Sequence, residues 1–416
     1  MRISTSQFYS TNTTNIINRQ SEVNQSVLNI SEGKRVLTAG DDVVAATSIF
    51  NIRQEQALTD QYQTNISFAE SRITVEETTL QSAENVMFRV KELVLQGNSV
   101  ANDDAARKAL ADELEARFDE LLSLANTRDE SGSYIFGGYQ TDSAPFEEQS
   151  DNSVSYLGDR GQRMTNVGPG VQVATSDSGD KLFMSVDNSV GDFKPTYTLN
   201  GAYDEVERAV VTNADIKDRS VYVPTGTPDD YTIDFATMTS GDMGVRVTDS
   251  LGTQVYPTLP MTEAVYVPGE SISFNGIETT LKRPAQDGDS ISLTPQDEID
   301  SFGVIQSAID WLNAPNGTGV DEAQRQLDLG HIIGDIDEVQ KRLGNVRAEI
   351  GSRLQLTESQ NERHLDYHLT IEKSRSALED LDMVAAISKF EQQKLSLQAS
   401  QTAFSQVQDM SLLNYL

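Results

Sequence analysis

The stretch NISFAESRITVEETTLQSAENVMFRVKELVL, residues 65–95, decides the fold. Ile66, Ala69, Ile73, Glu76, Leu80, Ala83, Met87, Val90 and Val94 recur at alternating steps of three and four, the spacing of one stripe along an α-helix. Ile52, Thr59 and Tyr62 carry the stripe further upstream, with one seven-residue step over Glu55. A stripe of this length demands a partner helix of similar length. Leu329, Ile332, Ile336, Val339, Leu343, Val346 and Ile350 repeat the same spacing and supply that partner. A shorter helix bearing Leu110, Leu114, Phe118, Leu121 and Ala125 follows the N-cap candidates Asn102-Asp103-Asp104, and its simplest packing is an antiparallel return over the long helix.

Outside these helices the composition changes. All eleven prolines lie between Pro145 and Pro315. Since proline costs about 3 kcal/mol inside a helix, two proline-free ends around a proline-bearing middle read as helical segments flanking an inserted non-helical domain. Within it, Val221-Tyr222-Val223, Tyr231 to Phe235, Val245-Arg246-Val247 and Ala264 to Val267 have strand character. The clearest hairpin joins Ser271–Phe274 to Ile277–Leu281 through Asn275-Gly276, a pair suited to the positive φ angles of a type I′ turn. Gly168-Pro169-Gly170 and Gly317-Thr318-Gly319 read as ordinary turns. Phe302, Ile305, Ile309, Trp311 and Leu312 form one helix face linking this insert to the helices.

Both chain ends carry amphipathic arms. Ile16, Val23 and Ile30 recur every seven residues with Val27 between them, and Gly33 supplies a left-handed stop. At the other end Met383, Phe390, Leu397 and Phe404 stand at strict sevens, with Ala386, Gln393, Ser400 and Val407 as companions. Neither arm has a local hairpin partner, so the two are expected to pair with each other. Helices without tertiary burial are marginal in water, and full order is expected only when other subunits cover them. Between the first arm and the long helix, Gly33-Lys34-Arg35 to Asp41-Asp42 reads as a loop whose two carboxylates cap the next helix.

Lys plus Arg total 32 against 64 Asp plus Glu, a formal charge of −32, which argues against nucleic-acid binding and against an anionic membrane surface. The span 141–300 holds much of this excess, which suits an exposed, solvated module. No cysteine is present, which removes disulfides and thiolate chemistry. The N-terminus lacks the apolar core of a cleaved signal, and no apolar run is long enough to span a bilayer, so membrane insertion is not expected.

Catalytic motifs are missing: there is no Walker loop, no G-x-G-x-x-G and no G-x-S-x-G. His364 and His368 stand four apart, as two metal ligands on a helix do, and a metal-dependent hydrolase is the remote alternative built on them. Leu365 occupies the place of a zincin glutamate, however, and the bland reading is a solvated helix face. Asp103-Asp104, Asp229-Asp230 and Glu147-Glu148 read as caps or surface charge. Glu76 interrupts an apolar seam, either snorkelling outward or marking a register contact with a partner's cation. No cofactor is expected.

The chain resembles the bacterial flagellin superfamily and, within it, the branch that joins hook to filament. The resemblance covers about residues 1–140 and 320–416. It rests on Ser31-Glu32-Gly33-Lys34-Arg35-Val36-Leu37-Thr38 with Asp41-Asp42, on Asn65-Ile66, Ser71-Arg72-Ile73 and Glu76-Glu77, and on Leu124 to Asp129 leading to Gly132 and Tyr134-Ile135-Phe136-Gly137-Gly138-Tyr139. Met1-Arg2-Ile3-Ser4 and the ending Ser411-Leu412-Leu413-Asn414-Tyr415-Leu416 point to the junction branch rather than to filament flagellin, the same-class alternative. Val43 stands where the family usually has proline, and Gly40 lies near where it has serine.

This resemblance implies a non-catalytic axial protein, mainly α with an inserted β domain, whose N- and C-terminal helices pair into a long coiled-coil-like bundle. The expected divisions are 1–40 with 376–416 as terminal polymerisation arms, 41–140 with 301–375 as the long-helix bundle, and 141–300 as the exposed insert. Ile16, Val23, Val27, Ile30, Met383, Phe390, Leu397, Phe404 and Val407 are the expected inter-subunit residues, and Gly33, Lys34, Arg35, Asp41 and Asp42 the family-motif loop. Implied partners are copies of the chain, a hook-side junction protein, filament flagellin and an export chaperone. The implied route is flagellar type III export to the extracellular flagellum.

Overall fold

The computed structural model describes residues 5–99, 102–222, 230–315 and 317–409. Six α-helices occur among the described residues: α1 (Thr5–Glu32), α2 (Val43–Gly97), α3 (Asp104–Ala125), α4 (Ser301–Asn313), α5 (Val320–Glu379) and α6 (Met383–Asp409), with one π-helical turn at Asp180–Met184. The chain divides into two compact units. One comprises Met1–Ile66, Val167–Pro169 and Glu358–Leu416, the other Ser67–Asn166 and Gly170–Thr357.

In the second unit the apolar stripe of α2 does what its period requires. Ala69, Ile73, Leu80, Ala83, Met87, Val90 and Val94 are all buried, as are Ile336, Val339, Leu343, Val346 and Ile350 of α5. The two helices run antiparallel, with Arg347 bridging to Glu77 at 2.8 Å and to Glu84, and Lys91 to Asp337. Asp103 caps α3 by accepting from the Ala106 N–H at 2.7 Å. Arg89 of α2 holds Glu113 of α3 at 2.8 Å, which places α3 beside α2. Phe118 of α3 meets Phe302 of α4 edge-on, with ring centroids 5.9 Å apart. The α4 face expected from sequence is buried throughout, from Phe302 to Leu312.

Fifteen strands lie between α3 and α4 among the described residues. They are β1 (Phe146–Glu148), β2 (Val154–Tyr156), β3 (Met164–Gly168), β4 (Val171–Ala174), β5 (Val186–Asp187), β6 (Phe193–Thr198), β7 (Val210–Ile216) and β8 (Tyr231–Thr237). Then follow β9 (Met243–Asp249), β10 (Gln254–Tyr256), β11 (Ala264–Val265), β12 (Ser271–Phe274), β13 (Ile277–Lys282), β14 (Ser290–Pro295) and β15 (Glu298–Ile299). The largest sheet runs β10-β9-β8-β14-β6 with β11 also on β9, a second runs β12-β13-β7, and the strands of both sheets pair antiparallel. Alternate residues turn inward, Tyr231, Ile233 and Phe235 from β8 and Ile277, Thr279 and Leu281 from β13, and one core joins the two sheets. Pro195 lies in β6, at a sheet edge, where a missing N–H breaks no inner ladder. Asn275 and Gly276 take φ of 45° and 79°, as the expected hairpin requires.

Two strand expectations need correction. Val221 and Tyr222 form no strand: both N–H groups donate to the Asp218 carbonyl, which closes a turn, and Val223 lies outside the described residues. Ala264 to Val267 contributes only Ala264–Val265 as strand. Gly168-Pro169-Gly170 is the tip of the β3–β4 hairpin, with Gly170 at φ 72°.

Candidate assembly surface

In the first unit, α1 and α6 pair antiparallel. Tyr9 meets Phe404 edge-on at 5.8 Å between ring centroids, and Ser26 donates to Gln393 Oε1 at 2.6 Å. Val23 and Leu397 are buried, whereas Ile16, Ile30, Phe390 and Phe404 are half-buried. Val27 and Met383, by contrast, are 47% and 43% exposed, and the side chain of Val407 lies outside the described set.

Further apolar residues look outward. Ile17 (62% exposed) and Leu28 stand eleven residues apart, close to three helical turns, so they share one line on α1. Val384 (79%) and Leu395 (63%) form the same kind of line on α6, with Ile387 nearby. Two helices alone cover only one face of each other, and these lines are what remains.

The loop at the base of the arms is fastened from several sides. Gly33 (φ 68°) ends α1 in a backbone conformation that favours glycine, and its carbonyl accepts from Leu381 N–H at 3.0 Å. Arg35 N–H donates to the Glu379 carbonyl at 2.7 Å, and its guanidinium reaches Asp42 at 3.1 Å and the Leu378 carbonyl at 2.9 Å. The Glu379 carboxylate, nearly inaccessible, takes Lys34 and Arg53 at 2.7 Å each and Arg375 at 3.8 Å. Burial works against its ionisation, but the Lys34 hydrogen bond and the charges of Arg53, Lys34 and Arg375 outweigh it and hold its pKa below the ordinary value.

Of the two loop carboxylates, only Asp42 caps α2, accepting from Ala45 N–H at 3.0 Å. Asp41 instead closes its own turn by accepting from Leu37 and Thr38 N–H at 3.0 and 2.8 Å. Both pKa values are lowered, Asp42's by the Ala45 amide first and Asp41's by the Thr38 amide first. Beneath them Val36, Ala45 and Ile49 make a small core with Leu378.

The solvated reading of His364 is overturned. Its ring is buried, stacked on Tyr62 at 5.4 Å, and its Nε2 lies 2.8 Å from the Val167 carbonyl, to which it donates. His368 is half-exposed, with its Nε2 3.1 Å from Gln56 and 3.6 Å from Asp60. Each Nε2 is therefore already engaged within the chain, and no group of three or more metal-ligating side chains occurs among the described residues.

Sequence reasoning missed the Glu379 clamp and the burial of His364. The clamp's signal was the antiparallel register itself: as α2 advances α5 retreats, which sets Arg53 opposite the Arg375–Glu379 turn.

Family models for the bacterial flagellin N-terminal and C-terminal helical regions match residues 3–141 and 333–416. The flagellar hook-associated protein 3 of Escherichia coli (strain K12) is 33% identical over 186 residues, 45% of this chain and 58% of that protein. Its counterpart from Salmonella typhimurium is 32% identical over 238 residues, 52% of this chain and 75% of that protein. The crystal structure of flagellar hook-associated protein 3 from Legionella pneumophila superimposes with a TM-score of 0.68 at 29% identity, covering 79% of this chain and 98% of that one.

Proposed function

The chain belongs to the flagellar hook-associated protein 3 family of the bacterial flagellin superfamily, and from that premise we propose that it is a structural axial subunit of the flagellum forming the hook–filament junction. Its work is packing, not catalysis. In this reading its neighbours are copies of itself, a hook-side junction protein and filament flagellin. It leaves the cell through flagellar type III export with the help of a chaperone, and works outside the cell.

The observation that carries the reading is the pair of outward apolar lines on α1 and α6. An arm pair held by Val23 and Leu397 still leaves Ile17, Leu28, Val384 and Leu395 to be covered by neighbouring arms, together with Val27 and Met383. The three-part division into arms, long-helix bundle and exposed insert follows this use, with the loop from Gly33 to Asp42 as the arm's base.

Deleting the coding region and imaging the cells' flagella by electron microscopy tests the proposal. Hooks without filaments, with filament subunits lost to the medium, are expected. Intact filaments would overturn the junction role. Complementation with a chain carrying Val384→Ser and Leu395→Ser separates assembly from export: the chain reaches the medium but does not restore filaments.

A further inference from the structure

Glu76 is the one charged residue in the α2 stripe between Ile66 and Val94, and it does not snorkel. Its side chain is almost wholly inaccessible. Oε1 accepts the Asp177 N–H at 2.8 Å, while Oε2 is buried with no hydrogen-bond partner among the described residues. An ionised carboxylate in that position leaves half of its charge without a donor, which is costly in an apolar seam.

The surroundings make the charge still less welcome. Asp177, just past β4, is itself buried and has already taken the nearest cation: Arg353 of α5 holds its two oxygens at 2.6 and 3.2 Å. Gln162 donates to Asp177 at 2.9 Å, and Lys181 stands 3.6 Å away, itself bound to Glu349 at 2.9 Å. Arg163 faces Glu76 from a distance, with its Nε on Ser176 Oγ at 3.2 Å, while Arg72 on α2 is paired with Asp129. Among the described residues no cation is paired with Glu76 itself.

We infer that Glu76 is held as the neutral acid in the folded protein, and that its ionisation loosens the Thr175–Ser178 segment from α2, making this joint of the insert a proton-sensitive latch. Oε1 is taken by the Asp177 amide, so the proton belongs on Oε2, and ionisation sets a second carboxylate charge against that of Asp177. Desolvation first, then repulsion from Asp177, pushes the Glu76 pKa up from 4.5 to about 7. A folded value above the unfolded one means that the folded state binds the extra proton. Stability from this group is therefore complete below about pH 4.5 and is lost as pH rises toward 7.

Urea unfolding of the full chain across pH 4.5–8.5, combined with hydrogen exchange at the Asp177 amide, tests the latch against Glu76→Gln. Relative to that variant, the wild-type folding constant should fall by up to about tenfold per pH unit through the window, and by up to about 300-fold by pH 8. Protection of the Asp177 amide should fall with it. Asp177→Asn removes the repulsion and frees Arg353, so its transition should move to lower pH. Should Glu76→Gln not fold, Asp177→Asn against wild type gives the same reading. Parallel profiles for wild type and Glu76→Gln, or an unmoved transition in Asp177→Asn, would overturn the inference.

Discussion

The stripe of α2 and the seam of the terminal arms use the same heptad-like grammar with opposite results. From Ile66 to Val94 every apolar stripe residue is buried within one chain, whereas among the described residues α1 and α6 bury one large apolar residue each, Val23 and Leu397. The long helix is covered by α5, α3 and the insert side, while among the described residues each arm is covered mainly by the other arm. Burial of apolar area is what makes a helix stable in a protein, so equal patterning gives a finished core in one place and an unfinished one in the other.

Substitutions can break this comparison. The largest effect in the isolated chain is expected from Leu80→Ala, which empties a fully buried site and should cost about 2–5 kcal/mol in urea unfolding. A loss below 1 kcal/mol would mean the seam is not tightly packed. Next comes Leu397→Ala, for which about 1–3 kcal/mol should be lost locally. The signature is reduced helicity and faster amide exchange in α1 and α6, with the main urea transition unmoved. A shift of the main transition instead would show that the arms and the long helices unfold together.

Glu379→Ala should cost about 1 kcal/mol, because Arg53 is half-exposed and solvent screens the clamp. Its pKa is lowered, so the stabilisation is present above the unfolded value and disappears as pH falls through the folded one. Exchange of the loop amides from Gly33 to Asp42 at pH 7 and at pH 3 reads both effects, and a variant indistinguishable from wild type at pH 7 would remove the clamp from the account. Smallest of all in the monomer is Leu395→Ser, expected to change stability by less than about 0.5 kcal/mol. If that variant lowers the urea midpoint appreciably, the outward line is part of the monomer's own core.

Much of this contrast was visible in the sequence. Long-range periodicity survives because a three-four spacing has no other stable use over that length, and Asn275-Gly276 specifies its turn through the backbone alone. What was illegible depends on contacts made across hundreds of residues. His364 looks solvated until Val167 and Tyr62 meet it, and Glu76 looks misplaced until the Asp177 amide arrives. At Val221-Tyr222 the failure was local: alternation suggested a strand, but the Asp218 carbonyl claimed both amides first. Within the candidate assembly surface, heptad spacing identified the arms yet could not tell the face turned to the other arm from the face turned away.

The hydrogen bond from Ser26 to Gln393 spans 367 residues of sequence. A chain delivered from its N-terminus onward therefore has α1 available from the start and must wait for its last segment before that helix finds its mate. A molecule cut short ahead of α6 presents α1 unmated, so the α1–α6 pair forms only on a copy that carries both helices. On the assembly role proposed above, the seam would act as an inspection of length before the chain joins its neighbours.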